Sequence, residues 1–433
     1  MKPKIIEKKY VIPFIIITSL FALWGFANDI TNPMVAAFAR IMDLSQARAS
    51  MIQFAFYAGY GTMAIPAALF IRKYSYKAGI LVGLLLYAIG ALLFFPAAHF
   101  AQFSFFLWSL YILTFGLAFL ETTANPYILS MGDQRTATRR LNFAQSFNPM
   151  GSILGMFVAS NIILTSLQSD KRNEAGYLIW DTLCEAAKIP IRTHDLAVIR
   201  DPYVILGFAV LVMFVIIALV KMPKTQNTEK AQGRAIDSFK RLVRIPKYRE
   251  GVIAQAFYVG VQIMCWTFIV QYAQSLGFSM AEGQRFNIVA MGLFISSRFI
   301  CVYLMKFFKP SLMLTVFAIG GMISILCVIF VGGMFGLYAL IATSAFMSLM
   351  FPTIYGIALQ GLDQEDTALG AAGLIMAIVG GALMPPLQGL LIDMGTIAGM
   401  PAIRASFILC FICFVVVCTY GVRRFREDRR VVA

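Results

Sequence analysis

Apolar residues occur along this chain in blocks of about twenty, separated by short polar segments. A helix needs roughly 20 apolar residues to cross about 30 Å of hydrocarbon, and the blocks lack the two-residue alternation of barrel strands. Because lipid does not tolerate an unpaired backbone, the pattern predicts an all-α membrane protein. The twelve predicted spans are 11–38, 48–72, 78–98, 103–131, 139–166, 201–221, 250–275, 281–306, 311–332, 335–361, 367–392 and 402–422.

Composition and charge fit this topology. The chain is 60% hydrophobic and 13% charged, with a formal net charge of +15. The basic residues are concentrated before the first span, after every second span, and at the C-terminal end. These positions share one side of the membrane, so the positive-inside rule predicts that both termini are cytoplasmic in a plasma (bacterial inner) membrane. Topology therefore accounts for the charge, and we expect no nucleic-acid partner.

The chain divides into two related parts. A polar, basic segment at 222–249 separates an N-terminal half at 1–221 from a C-terminal half at 250–433, each with six predicted spans. Sliding the sequence by about 233 positions places Gly59 on Gly292, within the second span of each half. Two pseudo-symmetric six-helix halves resemble the plan of the major facilitator superfamily, in which the solute site lies near the midplane between the halves.

Two acidic residues inside spans are candidates for chemistry, because a charge in lipid costs roughly 3 kcal/mol or more. Glu121 begins the segment ETTANP, and Asn125 shares its helix face four residues later. Asp29 and Asn32, three residues apart, also share a face. We predict proton coupling by Glu121 and Asp29, and solute binding by Glu121, Asn125 and Asn32. The alternatives are a structural pairing for Glu121 and, for Asp29, an acid that reaches external water near a helix end.

Amide and aromatic side chains form two further polar faces. Asn142, Gln145 and Asn148 recur every three residues in the fifth predicted span, while Gln262 and Trp266 share a face of the seventh. Amides both donate and accept hydrogen bonds, which suits a hydroxylated ligand, and an indole ring can stack on the C–H face of a sugar. We predict solute binding by Gln145, Asn148, Gln262 and Trp266. Amides that join neighbouring helices are the alternative.

Other motifs indicate what drives the protein. The sequence has no phosphate-binding loop, no ATP-binding signature and no metal-ligand cluster, so we expect a gradient-driven transporter without a cofactor rather than an enzyme. Six of the seven cysteines fall in apolar spans, so no disulfide framework is predicted. The expected partners are a monosaccharide, a proton and the lipid bilayer, with the chain acting as a monomer.

Two segments carry a family resemblance: ETTANP at 121–126 and RLNFAQSFN at 140–148. They resemble the fucose permeases of the fucose–galactose–glucose:proton symporter family, within the major facilitator superfamily. The resemblance implies proton-coupled uptake of a monosaccharide, with L-fucose as the first expectation. It also implies proton coupling at Glu121 and sugar binding at Gln145 and Asn148. A glucose/galactose symporter of the same family and a drug:proton antiporter are the alternatives.

The chain departs from the family pattern at two positions. In the pattern an Asn precedes an Asp by three residues, whereas here Asp29 precedes Asn32. Phe351 stands where the pattern has a Tyr before the proline. The first departure leaves the role of Asp29 open, and the second removes a hydroxyl from the expected site.

Overall fold

A computed structural model describes residues 10–131, 144–145, 147–174, 176–220, 222, 235–305, 307–362 and 364–430. The described chain is helical apart from one short hairpin, Thr396–Ile397 with Met400–Pro401, so the predicted all-α class is confirmed. Asn142, the predicted start of the fifth span and residues 223–234 of the predicted linker lie outside the described residues.

Twelve long helices form the body of the protein. Among the described residues, 11 helices are long and apolar enough to cross a membrane, and the remaining one, Met280–Leu304, carries Glu282, Arg285 and Arg298. We number these spans 1 to 12 in chain order: Val11–Thr31, Gln46–Ile71, Tyr76–Phe100, Phe103–Asn125, Phe147–Ser166, Glu185–Leu219, Pro246–Ser275, Met280–Leu304, Pro310–Phe330, Gly333–Leu359, Leu369–Asp393 and Ala402–Arg429.

Span 6 begins earlier than the sequence pattern predicts. The predicted spans leave 167–200 between the fifth and the sixth, but helix starts at Glu185 and continues to Leu219. Lys188 and Arg192, in its first turns, pair with Asp43 beyond the end of span 1. Hydropathy detects only the apolar part of a helix, so this polar extension, held by contacts with a distant segment, was missed.

Several helices are interrupted. Span 1 ends at Thr31, and the chain resumes as the helix Met34–Ile41 after Pro33, which has no backbone N–H to donate. Span 10 consists of the helices Gly333–Met347 and Met350–Leu359. Such breaks free backbone groups for other partners. Shorter irregularities are a π-helix at Ala159–Ile163 and a 3-10 turn at Ala377–Val379, and the additional helix Ala235–Arg244 precedes span 7.

Small residues allow spans 1 and 5 to pack closely. A side-chain carbon added at Gly151 would lie 1.9 Å from the carbonyl oxygen of Ala22, and one at Gly155 would lie 2.6 Å from that of Phe26. Close backbone approach at glycine is a common basis of helix association in membranes, where lipid gives no hydrophobic advantage to larger side chains.

We call the end of the bundle that carries residues 10 and 430 the termini side, and the opposite end the loop side. Two carboxylates of the loop side cap helix starts that belong to the other half. Asp393, at the end of span 11, accepts from the backbone N–H groups of Gln46 (2.7 Å) and Ala47 (2.9 Å) at the start of span 2. Asp170, after span 5, accepts from the N–H of Met280 (2.9 Å) at the start of span 8. A helix start has unpaired N–H groups and a partial positive charge, so both contacts are favourable.

Three more hydrogen bonds join the halves on the same side. Gln271 donates to the side chain of Gln46 (3.4 Å), Arg172 to the carbonyl of Phe278 (3.3 Å), and Ser160 to the carbonyl of Ala281 (3.2 Å). The loop side is therefore closed by a set of polar contacts between the halves.

We predict that replacing both Asp170 and Asp393 by Ala opens the loop side. Each lost helix cap costs about 1 kcal/mol, so losing both shifts the closed-to-open equilibrium by roughly 30-fold. The measurement is the distance distribution between spin labels at Ser104→Cys and Thr396→Cys, two exposed loop-side positions in opposite halves. We expect a longer-distance population to grow.

The matched control is Asp201→Ala, because Asp201 pairs with its neighbour Arg200 inside one half. Three native cysteines that are exposed or partly exposed, Cys184, Cys327 and Cys418, are replaced in all variants. An unchanged distribution in the double variant would show that the caps do not hold the loop side closed.

Candidate functional site

Glu121 is at the centre of a polar cluster formed by spans 2, 4 and 5. Tyr60 donates its hydroxyl to Oε1 of Glu121 at 3.0 Å. Asn125 donates to the backbone carbonyl of Glu121 at 3.0 Å, and Gln145 donates to Oδ1 of Asn125 at 3.1 Å. Glu121 and Asn125 are partly exposed and Gln145 is exposed. The structure thus brings together three residues that the sequence predicts for the site.

Asn148 lies one turn along span 5 from Gln145, against span 1. Its side-chain amide donates to the carbonyl of Phe21 at 3.2 Å. Its own carbonyl occupies space that Gly25 leaves free, because a side-chain carbon there would lie 2.2 Å from this oxygen. The glycine therefore sets the position of Asn148 relative to span 1.

Asp29 is enclosed within the N-terminal half and does not line the open space beside Glu121. It is 1% exposed and accepts from the amide of Asn32 at 2.9 Å. Asn28 and Ser152 of span 5 also lie within hydrogen-bonding reach of the carboxyl group. In this conformation Asp29 is therefore a buried acid that accepts a hydrogen bond from a neutral amide.

A polar face of span 2 was missed by sequence reasoning. Gln53, Tyr57 and Tyr60 follow helical spacing, and the two tyrosine rings stack at 6.4 Å. Tyr57 donates to Oδ1 of Asn28 at 2.7 Å and lies within electrostatic range of both Asp29 and Glu121. The polar face of span 2 therefore bonds to Glu121 through Tyr60 and, through Tyr57, to Asn28, the residue before Asp29. Its signal in the sequence is the spacing of four and three residues, which is equally typical of helix packing.

The two predicted residues of span 7 have different surroundings. Trp266 is buried, donates its indole N–H to Ser344 at 3.1 Å, and packs edge-on against Phe294 with ring centroids 5.2 Å apart. Gln262, one turn away, is partly exposed. In this conformation the ring of Trp266 packs inside the C-terminal half, and Gln262 is the member of the pair that is open to a ligand.

A second aromatic pair lies in the helix Met350–Leu359, the second part of span 10. The rings of Phe351 and Tyr355 stack at 6.3 Å with an interplanar angle of 15°. Pro352 and Gly356, beside them, are exposed. Tyr355 lies within electrostatic range of Glu121 in the opposite half. A hydroxyl is therefore present one turn from Phe351, the position where the sequence lacks one.

Arg298, a basic residue of span 8, contacts the break between the two helices of span 10. Its Nε donates to the carbonyl of Ser348 at 3.1 Å, and its guanidinium lies 4.7 Å from the ring centroid of Phe294. The contact satisfies a carbonyl that the helix break leaves free.

The cluster around Glu121 can bind a neutral, hydroxylated molecule. A carboxyl group, two amides and a tyrosine hydroxyl provide both donors and acceptors, and the carboxyl group and both amides are at least partly exposed. Among the described residues, no group of three or more His, Cys, Asp and Glu side chains is placed to hold a metal ion.

Comparisons with known proteins show which family the chain belongs to. A family model described as Major Facilitator Superfamily matches residues 16–385. An L-fucose-proton symporter of Haemophilus influenzae is 67% identical over 426 residues, which cover 98% of this chain and 99% of that protein. An L-fucose-proton symporter of Escherichia coli is 35% identical over 411 residues, covering 94% and 92%. The crystal structure of the transporter FucP in the outward conformation matches with a TM-score of 0.73 at 33% identity, covering 97% and 99% of the two chains.

We predict that Gly25→Ala destabilises the protein. The added carbon would meet the carbonyl of Asn148 at 2.2 Å, and overpacking of this kind costs about 1–3 kcal/mol. The measurement is the thermal unfolding midpoint of purified protein in detergent. The control is Gly292→Ala, where the added carbon would meet nothing within 4 Å. Equal midpoints for the two variants would contradict the close approach of spans 1 and 5.

Proposed function

Because the chain belongs to the major facilitator superfamily, we propose that it takes up L-fucose together with a proton by alternating access. The observation that carries the proposal is the surroundings of Glu121. This carboxyl group lies inside a membrane span, is bonded to Tyr60, and is next to the linked amides Asn125 and Gln145. The high identity to two L-fucose-proton symporters supports fucose as the solute.

The physical basis of coupling is the cost of charge in a low dielectric. A carboxylate shut off from water is unfavourable unless it is neutralised or well paired. When the site closes around a sugar, a protonated Glu121 avoids this cost and keeps a donor and an acceptor for the sugar hydroxyls. Binding of the proton and binding of the sugar then favour each other, which is the thermodynamic content of symport.

We assign the remaining roles as part of the proposal. Glu121 and Asp29 carry proton coupling. The termini side faces the cytoplasm of a bacterial inner membrane, so the structure is closed towards the outside. The halves extend over 1–221 and 250–433 with a linker at 222–249, and the chain acts as a monomer. The residues assigned to the sugar are Glu121, Asn125, Asn32, Gln145, Asn148, Gln262 and Trp266.

Uptake of labelled L-fucose into proteoliposomes tests the function. An inward proton gradient is expected to drive accumulation, and a protonophore is expected to abolish it. Unlabelled galactose, glucose and arabinose are compared with fucose as competitors. If glucose or galactose competes more strongly than fucose, that sugar is the solute. Equal uptake with and without the gradient would overturn proton coupling.

We predict that Glu121→Gln abolishes gradient-driven accumulation while sugar exchange persists. Glutamine keeps a donor and an acceptor at this position but binds no proton. Accumulation under a pH gradient is compared with counterflow at equal pH on both sides. Tyr60→Phe, which removes the hydroxyl bonded to Glu121, is the milder comparison and is expected to retain accumulation at a reduced rate. Full accumulation by Glu121→Gln would show that the proton is carried elsewhere.

We predict that Gln145→Ala and Asn148→Ala each weaken sugar binding by about 1–3 kcal/mol, the cost of an unpaired hydroxyl in a closed site. Titration of purified protein with L-fucose gives the affinity directly. The control is Asn161→Ala, which removes an exposed amide of span 5 that donates to the carbonyl of Phe157. Unchanged affinity in both test variants would move the sugar away from span 5.

A further inference from the structure

A buried chain of hydrogen bonds links Asp29 to the opposite half of the protein. Asn32 donates to Asp29 at 2.9 Å, and Gln53 donates to Asn32 at 3.2 Å. The same amide nitrogen of Gln53 lies 3.0 Å from the hydroxyl of Thr267 in span 7. Asp29 is 1% exposed and the other three side chains are 0% exposed. The last bond of this chain is therefore a contact between the halves, two turns inside the closed loop side.

The amides are arranged head to tail. Gln53 donates to the carbonyl oxygen of the Asn32 side chain, and Asn32 donates to the carboxyl group. In a low dielectric, successive hydrogen bonds polarise one another, so the charge on Asp29 alters the strength of the bonds behind it. The protonation state of Asp29 therefore alters the strength of the hydrogen bond that Gln53 donates to Asn32.

The bond between Gln53 and Thr267 exists only while the loop side is closed, because its partners belong to different halves. The second polar atom of the Gln53 side chain, Oε1, is buried without a hydrogen-bond partner among the described residues. The amide group is therefore fixed by its nitrogen alone. Opening of the loop side removes one of its two contacts and releases the chain that leads to Asp29.

We propose that Gln53 is a positioning residue that carries the protonation state of Asp29 into closure of the loop side through Thr267. The inference rests on the proposed function, since it takes Asp29 as a proton-coupling acid. Linkage is reciprocal: if the charge on Asp29 changes the free energy of closure, closure changes the proton affinity of Asp29 by the same amount.

The other groups around this chain determine how the test is designed. Span 2 places Tyr57 within electrostatic range of Asp29, and Glu121 of span 4 lies within range of the same tyrosine. Span 6 contributes Tyr203, which bonds to Thr31 at 2.8 Å. Span 5 contributes Ser152 and span 7 contributes Thr267, both uncharged. Glu121 is thus the second acid whose titration must be separated, and Glu121→Gln provides that background.

The experiment follows loop-side closure as a function of pH. Spin labels at Ser104→Cys and Thr396→Cys report the ratio of closed to open protein, in the Glu121→Gln background, in purified full-length chain. Without further change, this ratio is expected to vary roughly 5-fold or more between acid and alkaline pH, the usual size of a coupling between two sites. With Gln53→Leu or Thr267→Val it is expected to vary less than about twofold, because the link to Asp29 is broken.

A matched control separates coupling from closure itself. Gln271→Leu removes another amide contact between the halves, the 3.4 Å bond to Gln46, which lies outside the chain that leads to Asp29. It is expected to shift the ratio equally at all pH values and to leave its pH dependence intact. Thr267→Ser keeps the hydroxyl and is expected to preserve the unmodified profile. If the ratio of closed to open protein does not vary with pH in Gln271→Leu or in Thr267→Ser, the substitutions act through packing. That result would overturn the inference.

Transport in the Glu121 wild-type chain gives an independent readout. Gln53→Leu is expected to lower gradient-driven accumulation at least about fivefold while counterflow persists. Wild-type accumulation and an unchanged pH profile in Gln53→Leu would overturn the inference and leave the proposed function standing. Absence of gradient-driven sugar uptake in the wild-type chain would overturn the proposed function instead.

Discussion

A polar group inside hydrocarbon has to find its partner within the protein, and the arrangement of this chain follows from that constraint. Glu121 accepts a hydrogen bond from Tyr60 of another span, and Asp29 accepts one from Asn32, just after the end of its own span. The first turns of spans 2 and 8 find acids from the opposite half. Partners within one half can stay together when the halves separate. Partners from opposite halves are exchanged for water when the halves separate, and this exchange makes closure a distinct state.

The two carboxylate caps follow the pseudo-symmetry of the fold but differ in strength. Each joins the end of the fifth span of one half to the start of the second span of the other. Asp170 is 8% exposed and also pairs with Arg40, whereas Asp393 is exposed to solvent. Solvent and salt screen an exposed contact far more than a buried one. The cap made by Asp393 is therefore weakened more by salt than the cap made by Asp170, although the two have similar geometry.

The sequence predicted what depends on local pattern and missed what depends on distant contacts. Apolar blocks were sufficient for the spans, and four-residue spacing on span 4 put Asn125 on the helix face of Glu121. The contact of Gln145 with Asn125 joins two different helices and is visible only in the structure. The early start of span 6 and the caps at Asp170 and Asp393 depend on segments more than a hundred residues away. For Trp266, helical spacing gave the helix face, whereas its contacts with Ser344 and Phe294 of other spans are visible only in the structure.

The order of Asp29 and Asn32 acquires a physical meaning from the structure. Position 32 contacts Gln53, whose other partner belongs to the opposite half, while position 29 lies one turn further from that contact. With the amide at 32, a neutral group stands between the acid and the interface of the halves. An acid at 32 would meet Gln53 directly and place its charge next to the surface that separates, where desolvation changes most as the halves move. Relative to the family pattern, this order thus places the acid one turn away from the interface of the halves, with the amide of Asn32 between Asp29 and Gln53.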